Sequence, residues 1–169
     1  YPCFIWQTYD YYYDTTGTYW GAKKACEPVH IQWNCSDNTV NVVNTSGSDV
    51  SRLSATIEMY RLDGTPYARN CTTIDDIAVP TNEVKNIYNI RLITFKDMYF
   101  LRLRLFDESK QLVSENFYWK TTVGSKNDYT ALNSLQEAKL SFTPLSTETI
   151  DGIVHKRIRI ENVETDKSM

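Results

Sequence analysis

The stretch Tyr19-Trp20-Gly21-Ala22-Lys23-Lys24-Ala25-Cys26-Glu27-Pro28-Val29-His30-Ile31-Gln32-Trp33 decides how this chain is read. Up to Glu27 the residues suit a short helical turn over Tyr19–Ala25. Pro28 ends it, because proline has no amide hydrogen and biases its predecessor away from helical backbone. A strict two-residue alternation begins at once. Val29, Ile31, Trp33 and Cys35 point one way; His30, Gln32 and Asn34 point the other. Helical and strand sequence therefore meet with no linker between them. Such a join is expected just before a domain boundary of a longer protein, whose chemistry would then lie in residues outside this chain.

Reading toward the C-terminus, Ser36-Asp37-Asn38 predicts a turn. The next strand starts with Val40 and Val42 and ends at Asn44. Residues 52–62 alternate again, with Leu53, Ala55, Ile57 and Met59 on one face, and Asp63-Gly64 closes a hairpin. Two weaker strands are expected over 67–79 and 84–93. The clearest strand is 99–106, with Tyr99, Leu101, Leu103 and Leu105 inward and Phe100, Arg102, Arg104 and Phe106 outward. After a turn at Asp107–Lys110, Leu112–Trp119 returns. Trp33 and Trp119 are expected in the core. About seven strands in roughly 95 residues fit an immunoglobulin-like antiparallel β-sandwich over 28–122. The fold class is mainly β, preceded by a short helical segment. Toward the N-terminus, Ile5, Tyr9, Tyr12 and Tyr13 follow a helical stripe, so 3–14 is expected to be the end of a helix broken by Thr15-Thr16-Gly17. Beyond a polar connector at 123–128, strand-like runs near Ala138–Phe142 and Ile153–Glu161 either join the first sandwich or begin a second one, because two strands make no core of their own.

Composition narrows the function classes. Of 169 residues, 41% are hydrophobic and 23% charged, which is enough for a packed core and too apolar for a disordered chain. The net charge of −3 comes from 18 basic and 21 acidic residues well mixed along the chain. No basic stripe marks a nucleic-acid surface, and no apolar run approaches the ~20 residues of a membrane helix. Cys3, Cys26, Cys35 and Cys71 form no C-x-x-C pair, so buried free thiols or a single disulfide are the two readings. No cofactor and no metal site are expected. His30 and His155 have no acidic or cysteine cluster beside them, and no Gly-x-Ser-x-Gly elbow is present.

Several runs, in order, resemble the end of the catalytic barrel and the following sandwich in glycoside hydrolase family 2. They are Trp6-Gln7-Thr8-Tyr9-Asp10-Tyr11-Tyr12, Gly21 through Gln32, Val40 through Asn44, Leu62-Asp63-Gly64, Tyr99 through Leu103, Asn116 through Trp119, Asp128-Tyr129, and Leu132 through Leu135. The nearest branch is the exo-β-D-glucosaminidase, mannosylglycoprotein endo-β-mannosidase and β-mannosidase group. The resemblance implies three parts: the last barrel helix and its connector at 1–27, one immunoglobulin-like sandwich at 28–122, and a linker with the first strands of an incomplete sandwich at 123–169. It implies a retaining enzyme with two barrel glutamates ~5–5.5 Å apart, neither of which matches a position here. The implied partners are the rest of that glycosidase (the barrel and the following sandwich) and a glycan ligand, in a periplasmic or secreted setting. Self-association of the exposed surfaces, or folding of the tail strands back on 28–122, is expected as well.

Carbohydrate contact is assigned to Trp6, Tyr9, Tyr12, Tyr13 and Trp20, since the apolar face of a pyranose stacks on such rings; the competing reading is that these rings pack helix against sandwich. Asp10, Asp14 and Glu27 read as helix-surface and cap carboxylates. Glu58, Asp75 and Asp76 read as solvated charges. Asn34, Asn44 and Asn70 begin glycosylation sequons. Two rival functions remain: a stand-alone carbohydrate-binding module, with residues 9–13 or Phe100 and Phe106 as its platform, and an immunoglobulin-type interaction domain.

Overall fold

A computed structural model describes residues 8–67, 71–90, 98–121, 128–135 and 137–163. Its body is two antiparallel sheets packed face to face. Strands β1 (Val29–Asn34), β2 (Thr39–Asn44) and β5 (Glu83–Asn89) form one sheet in the order β1-β2-β5. Strands β3 (Val50–Arg61), β4 (Thr72–Val79), β6 (Tyr99–Phe106) and β7 (Leu112–Lys120) form the other in the order β4-β3-β6-β7. This is the expected immunoglobulin-like sandwich, preceded by one short helix. The two weak strands are shorter than their sequence suggests: β4 begins only at Thr72, and β5 ends at Asn89.

Alternation explains the core. Ile31, Val40 and Val42 from the first sheet meet Leu53, Ala55, Ile57, Met59, Ile77, Val79, Leu101, Leu103 and Leu105 from the second. Ile57 pairs with Leu103, and Leu103 with Asn116, so one inward row runs across three strands. Short-range chemistry closes the turns. At the end of β3, Asp63 Oδ1 accepts from the amide and hydroxyl of Thr65, and Gly64 supplies a φ of 81°. Asn44 is fully buried, with its Nδ2 donating to the carbonyls of Ser48, Val79 and Pro80, so it ties β2 to the β4–β5 turn.

One assignment on β7 is corrected, and one outward residue of β6 is more buried than its face suggests. Trp119 is 55% exposed, and Phe100 is only 4% exposed although its alternation places it outward. Register is the reason for Trp119. Leu105, Leu103 and Leu101 pair with Ser114, Asn116 and Tyr118, so those three face inward and Val113, Phe117 and Trp119 face out. The Phe100 ring lies 5.4 Å from that of Phe117 on the outer face. Trp33 is half-buried, edge-on to Tyr118.

The N-terminal reading is corrected too. The helix, α1, is Gly17–Ala25, with Lys23 and Lys24 in its last turn where the helix dipole favours cations. The described part of 3–14 is a loop. Tyr9 bridges Thr15, and Asp10 Oδ1 accepts from the amides of Tyr12 and Asp14. An aspartate that captures neighbouring amides offers the backbone an alternative to the helix, and Tyr13 takes a left-handed φ of 64°. Residues 3–7 lie outside the described residues.

After a 3-10 turn at Thr130–Ser134, β8 (Leu140–Ile150) and β9 (Ile153–Asn162) form a two-stranded sheet of their own. Asp151 and Gly152, both at positive φ, make the tight turn. Every residue of β9 is exposed. The tail strands therefore do not add to either sheet of the sandwich.

Candidate functional site

The segment from Thr8 to α1 carries the residues assigned to carbohydrate contact. The Asp10-centred loop throws its rings outward: Tyr9 and Tyr13 stack at 5.9 Å with 20° between their planes, and Tyr11 meets Tyr12 edge-on at 5.3 Å. On α1, Trp20 meets Tyr19 edge-on at 5.2 Å and carries the Lys23 ammonium 5.1 Å from its ring centroid. Tyr12, Tyr13 and Trp20 are 72%, 82% and 54% exposed, and Tyr9 is exposed beside them. The sandwich does not cover these rings. Among the described residues no ring contact joins the Tyr9–Tyr13 pair to Trp20, so they are two aromatic patches. Trp6 lies outside the described residues. The alternative platform, Phe100 with Phe106, is removed by the burial of Phe100.

The carboxylates are held by partners. Arg104 Nη2 lies 2.9 Å from Glu58, and Arg102 Nε lies 2.6 Å from Glu115. Glu58 is thus an ion-pair partner rather than a free solvated charge. Asp75 is exposed, 3.9 Å from Lys110. Glu27 is more than a cap: its Oε1 takes the Lys24 ammonium at 2.8 Å, and its Oε2 accepts from Ser114 Oγ at 2.6 Å across to β7. Burial pushes the Glu27 carboxyl up, but hydrogen bonds from Lys24 and Ser114, with the charges of Lys24 and His30, outweigh this and hold it below its ordinary value. His30 is buried with Nδ1 2.9 Å from the Glu27 carbonyl oxygen, and His155 is exposed on β9. Among the described residues no group of three or more His, Cys, Asp or Glu side chains is placed to hold a metal ion.

Cys26, Cys35 and Cys71 are free thiols, but Cys26 and Cys35 are exposed rather than buried; Cys3 lies outside the described residues. Of the sequons, Asn44 has its side-chain nitrogen committed to three carbonyls, while Asn34 uses its oxygen to accept from Ser36. Asn70 lies outside the described residues.

One feature escaped the sequence reading. Arg61, Leu62, Asp63, Tyr67, Met98, Thr121, Asp128, Thr130 and Ala131 line a cleft of about 400 Å³ at one end of the sandwich. Its walls come from four separate stretches, so no local pattern announces it. Burial pushes the nearby Tyr99 hydroxyl up to about 12, with Tyr129 adding to the shift. Hydrogen bonds from the Thr130 hydroxyl and amide hold the Asp128 carboxyl below its ordinary value.

Fold and surface together define an immunoglobulin-like β-sandwich module entered through an exposed aromatic segment. No family model matches the chain. It is 31% identical to an exo-β-D-glucosaminidase of Amycolatopsis orientalis over 93% of its own length and 17% of the relative's. It is 30% identical to a mannosylglycoprotein endo-β-mannosidase of Lilium longiflorum, again over 93% of this chain and 17% of the relative. The crystal structure of the Amycolatopsis orientalis exo-chitosanase CsxA superposes with a TM-score of 0.79 at 28% identity, covering 95% of this chain and 21% of that one. The chain is therefore a homologue of these glucosaminidases and mannosidases, and it spans about a fifth of their length.

Proposed function

We propose that this chain is a non-catalytic accessory region of a retaining family 2 glycosidase acting on β-linked glucosaminides, mannosides or related glycans. Residues 1–27 would close the catalytic barrel, 28–122 form the accessory sandwich, and 123–169 open a second sandwich. One observation carries this reading: nearly the whole chain falls on only 17–21% of each of these relatives. Its Glu58 and Glu115 are spent in ion pairs and Asp10 in a turn. Retaining hydrolysis instead needs two carboxyl groups facing one sugar. The rest of the enzyme is then the partner, and Tyr9, Tyr12, Tyr13 and Trp20, with Trp6, form the surface turned toward it and toward glycan at its rim. The pure chain is expected to release no nitrophenol from nitrophenyl β-glucosaminide or β-mannoside; measurable turnover would overturn the proposal.

A second reading, an independent carbohydrate-binding module, is favoured by the exposure of Tyr9, Tyr12, Tyr13 and Trp20. Calorimetric titration with glucosamine, mannose and chitosan oligomers decides it. Saturable binding that Trp20→Ala or Tyr13→Ala abolishes would put this reading first.

A further inference from the structure

No residue of α1 is buried. Apolar packing therefore does not hold this helix on the sandwich, yet its exit is held from three sides. Glu27 Oε2 accepts from Ser114 Oγ on β7, and Ser114 Oγ in turn stands 3.4 Å from the amide of Ile31. The Glu27 carbonyl oxygen faces His30 Nδ1 on β1. The next carbonyl, that of Pro28, accepts from the amide of Thr45 at 2.7 Å and from its hydroxyl. Meanwhile Glu27 Oε1 holds Lys24 of α1 itself. One carboxylate therefore bridges the helix and the far edge of the sandwich, with Ser114 only 2% exposed at the contact.

We infer that Glu27 is a positioning residue: through Ser114 and Lys24 it latches α1 to the sandwich, so that helix and sandwich move as one body. The inference rests on the accessory reading only for its purpose. If 1–27 closes a catalytic barrel, this latch sets the angle at which the sandwich braces it. The titratable groups facing the carboxylate are Lys24 from α1 and His30 from β1; the group that β7 presents to it, Ser114, does not titrate.

The test uses the whole chain and reads backbone order by NMR relaxation. In the wild type, amides of α1 are expected to be as ordered as those of Leu101–Leu105, near the ~0.85 order parameter of rigid backbone. Glu27→Gln, and independently Ser114→Ala, are expected to drop α1 below about 0.6, the flexible range, with Leu101–Leu105 unchanged. The double variant is expected to do no more than either single one, because both act on the one Ser114–Glu27 bond: Ser114→Ala removes its donor, and Glu27→Gln replaces its carboxylate acceptor with a weaker neutral amide oxygen. An α1 already below that range in the wild type, or equally ordered in both variants, overturns the latch. So does a loss of order that spreads equally through β6. If Glu27→Gln does not fold, Ser114→Ala decides on the same criteria. If neither folds, the latch is overturned as well, because it then holds the sandwich and not the helix. No sugar chemistry is read, so failure here leaves the accessory reading standing, and turnover by the chain would leave the latch standing.

Discussion

Asn116 donates its side-chain amide to the carbonyl oxygen of Ile31 at 2.7 Å. On either side, Ser114 Oγ stands 3.4 Å from the Ile31 amide and Tyr118 accepts from the Trp33 amide at 3.2 Å. β1 and β7 are edge strands of different sheets, and no backbone ladder joins them. The alternate residues of β7 act in its place, satisfying polar groups that an edge strand leaves unpaired. Asn116→Ala leaves the Ile31 carbonyl without its partner. The expected cost is about 1–3 kcal/mol, seen as a lower urea midpoint with an unchanged m-value.

Core and surface on β6 and β7 are distinguished by substitution. Leu103 is fully buried, and Leu103→Ala is expected to cost about 2–5 kcal/mol. Phe100→Ala belongs with it, at about 3–5 kcal/mol. Trp119→Ala removes a larger side chain from the outer face and is expected to cost about 1 kcal/mol or less. Denaturant titration of the three variants would reveal a misplaced register, since a shift of one residue on β7 would reverse the order.

The pH dependence follows from Glu27. Its carboxyl is lowered in the folded chain relative to an ordinary value of 4.5. The stability it contributes is therefore complete above that ordinary value and is lost as pH falls through the lowered folded value. The gap in melting temperature between wild type and Glu27→Gln is expected to be constant near neutrality and to close on acidification. A gap that widened with acid would contradict the assignment.

The β8–β9 ribbon carries an uncovered apolar face. Phe142 pairs with Ile160, and Pro144 with Ile158, on one side of the ribbon, all exposed. A two-stranded ribbon is marginal alone, so the isolated chain is expected to self-associate through this face. Sedimentation velocity would show a mass rising with concentration, and Phe142→Lys with Ile160→Lys would suppress it. A chain monomeric at every concentration would contradict the prediction.

The sandwich was legible because its strands obey local rules. Two-residue alternation placed Leu53 through Met59 and Tyr99 through Leu105 inward, and Asp63-Gly64 announced its turn. The errors share one cause: local pattern is silent where contacts are remote. The tyrosines at 9, 12 and 13 have helical spacing, but the Asp10 side chain closes a loop. β7 looks apolar at Val113, Phe117 and Trp119, but its polar residues face in to serve β1. Glu27 resembles any helix-end carboxylate until Ser114, 87 positions later, is folded against it.

The sequence by itself determined where β1, β2, β3, β6, β7 and β9 run, which residues of β1, β2, β3 and β6 form the core, and which family the chain resembles. Those properties follow from periodicity and from short motifs in order. Only the tertiary structure decided which face of β7 is buried, what Glu27 holds, and that no residue of α1 is buried. The first two depend on residues distant in sequence satisfying one another's hydrogen bonds, and a buried donor or acceptor is indifferent to how far along the chain its partner lies.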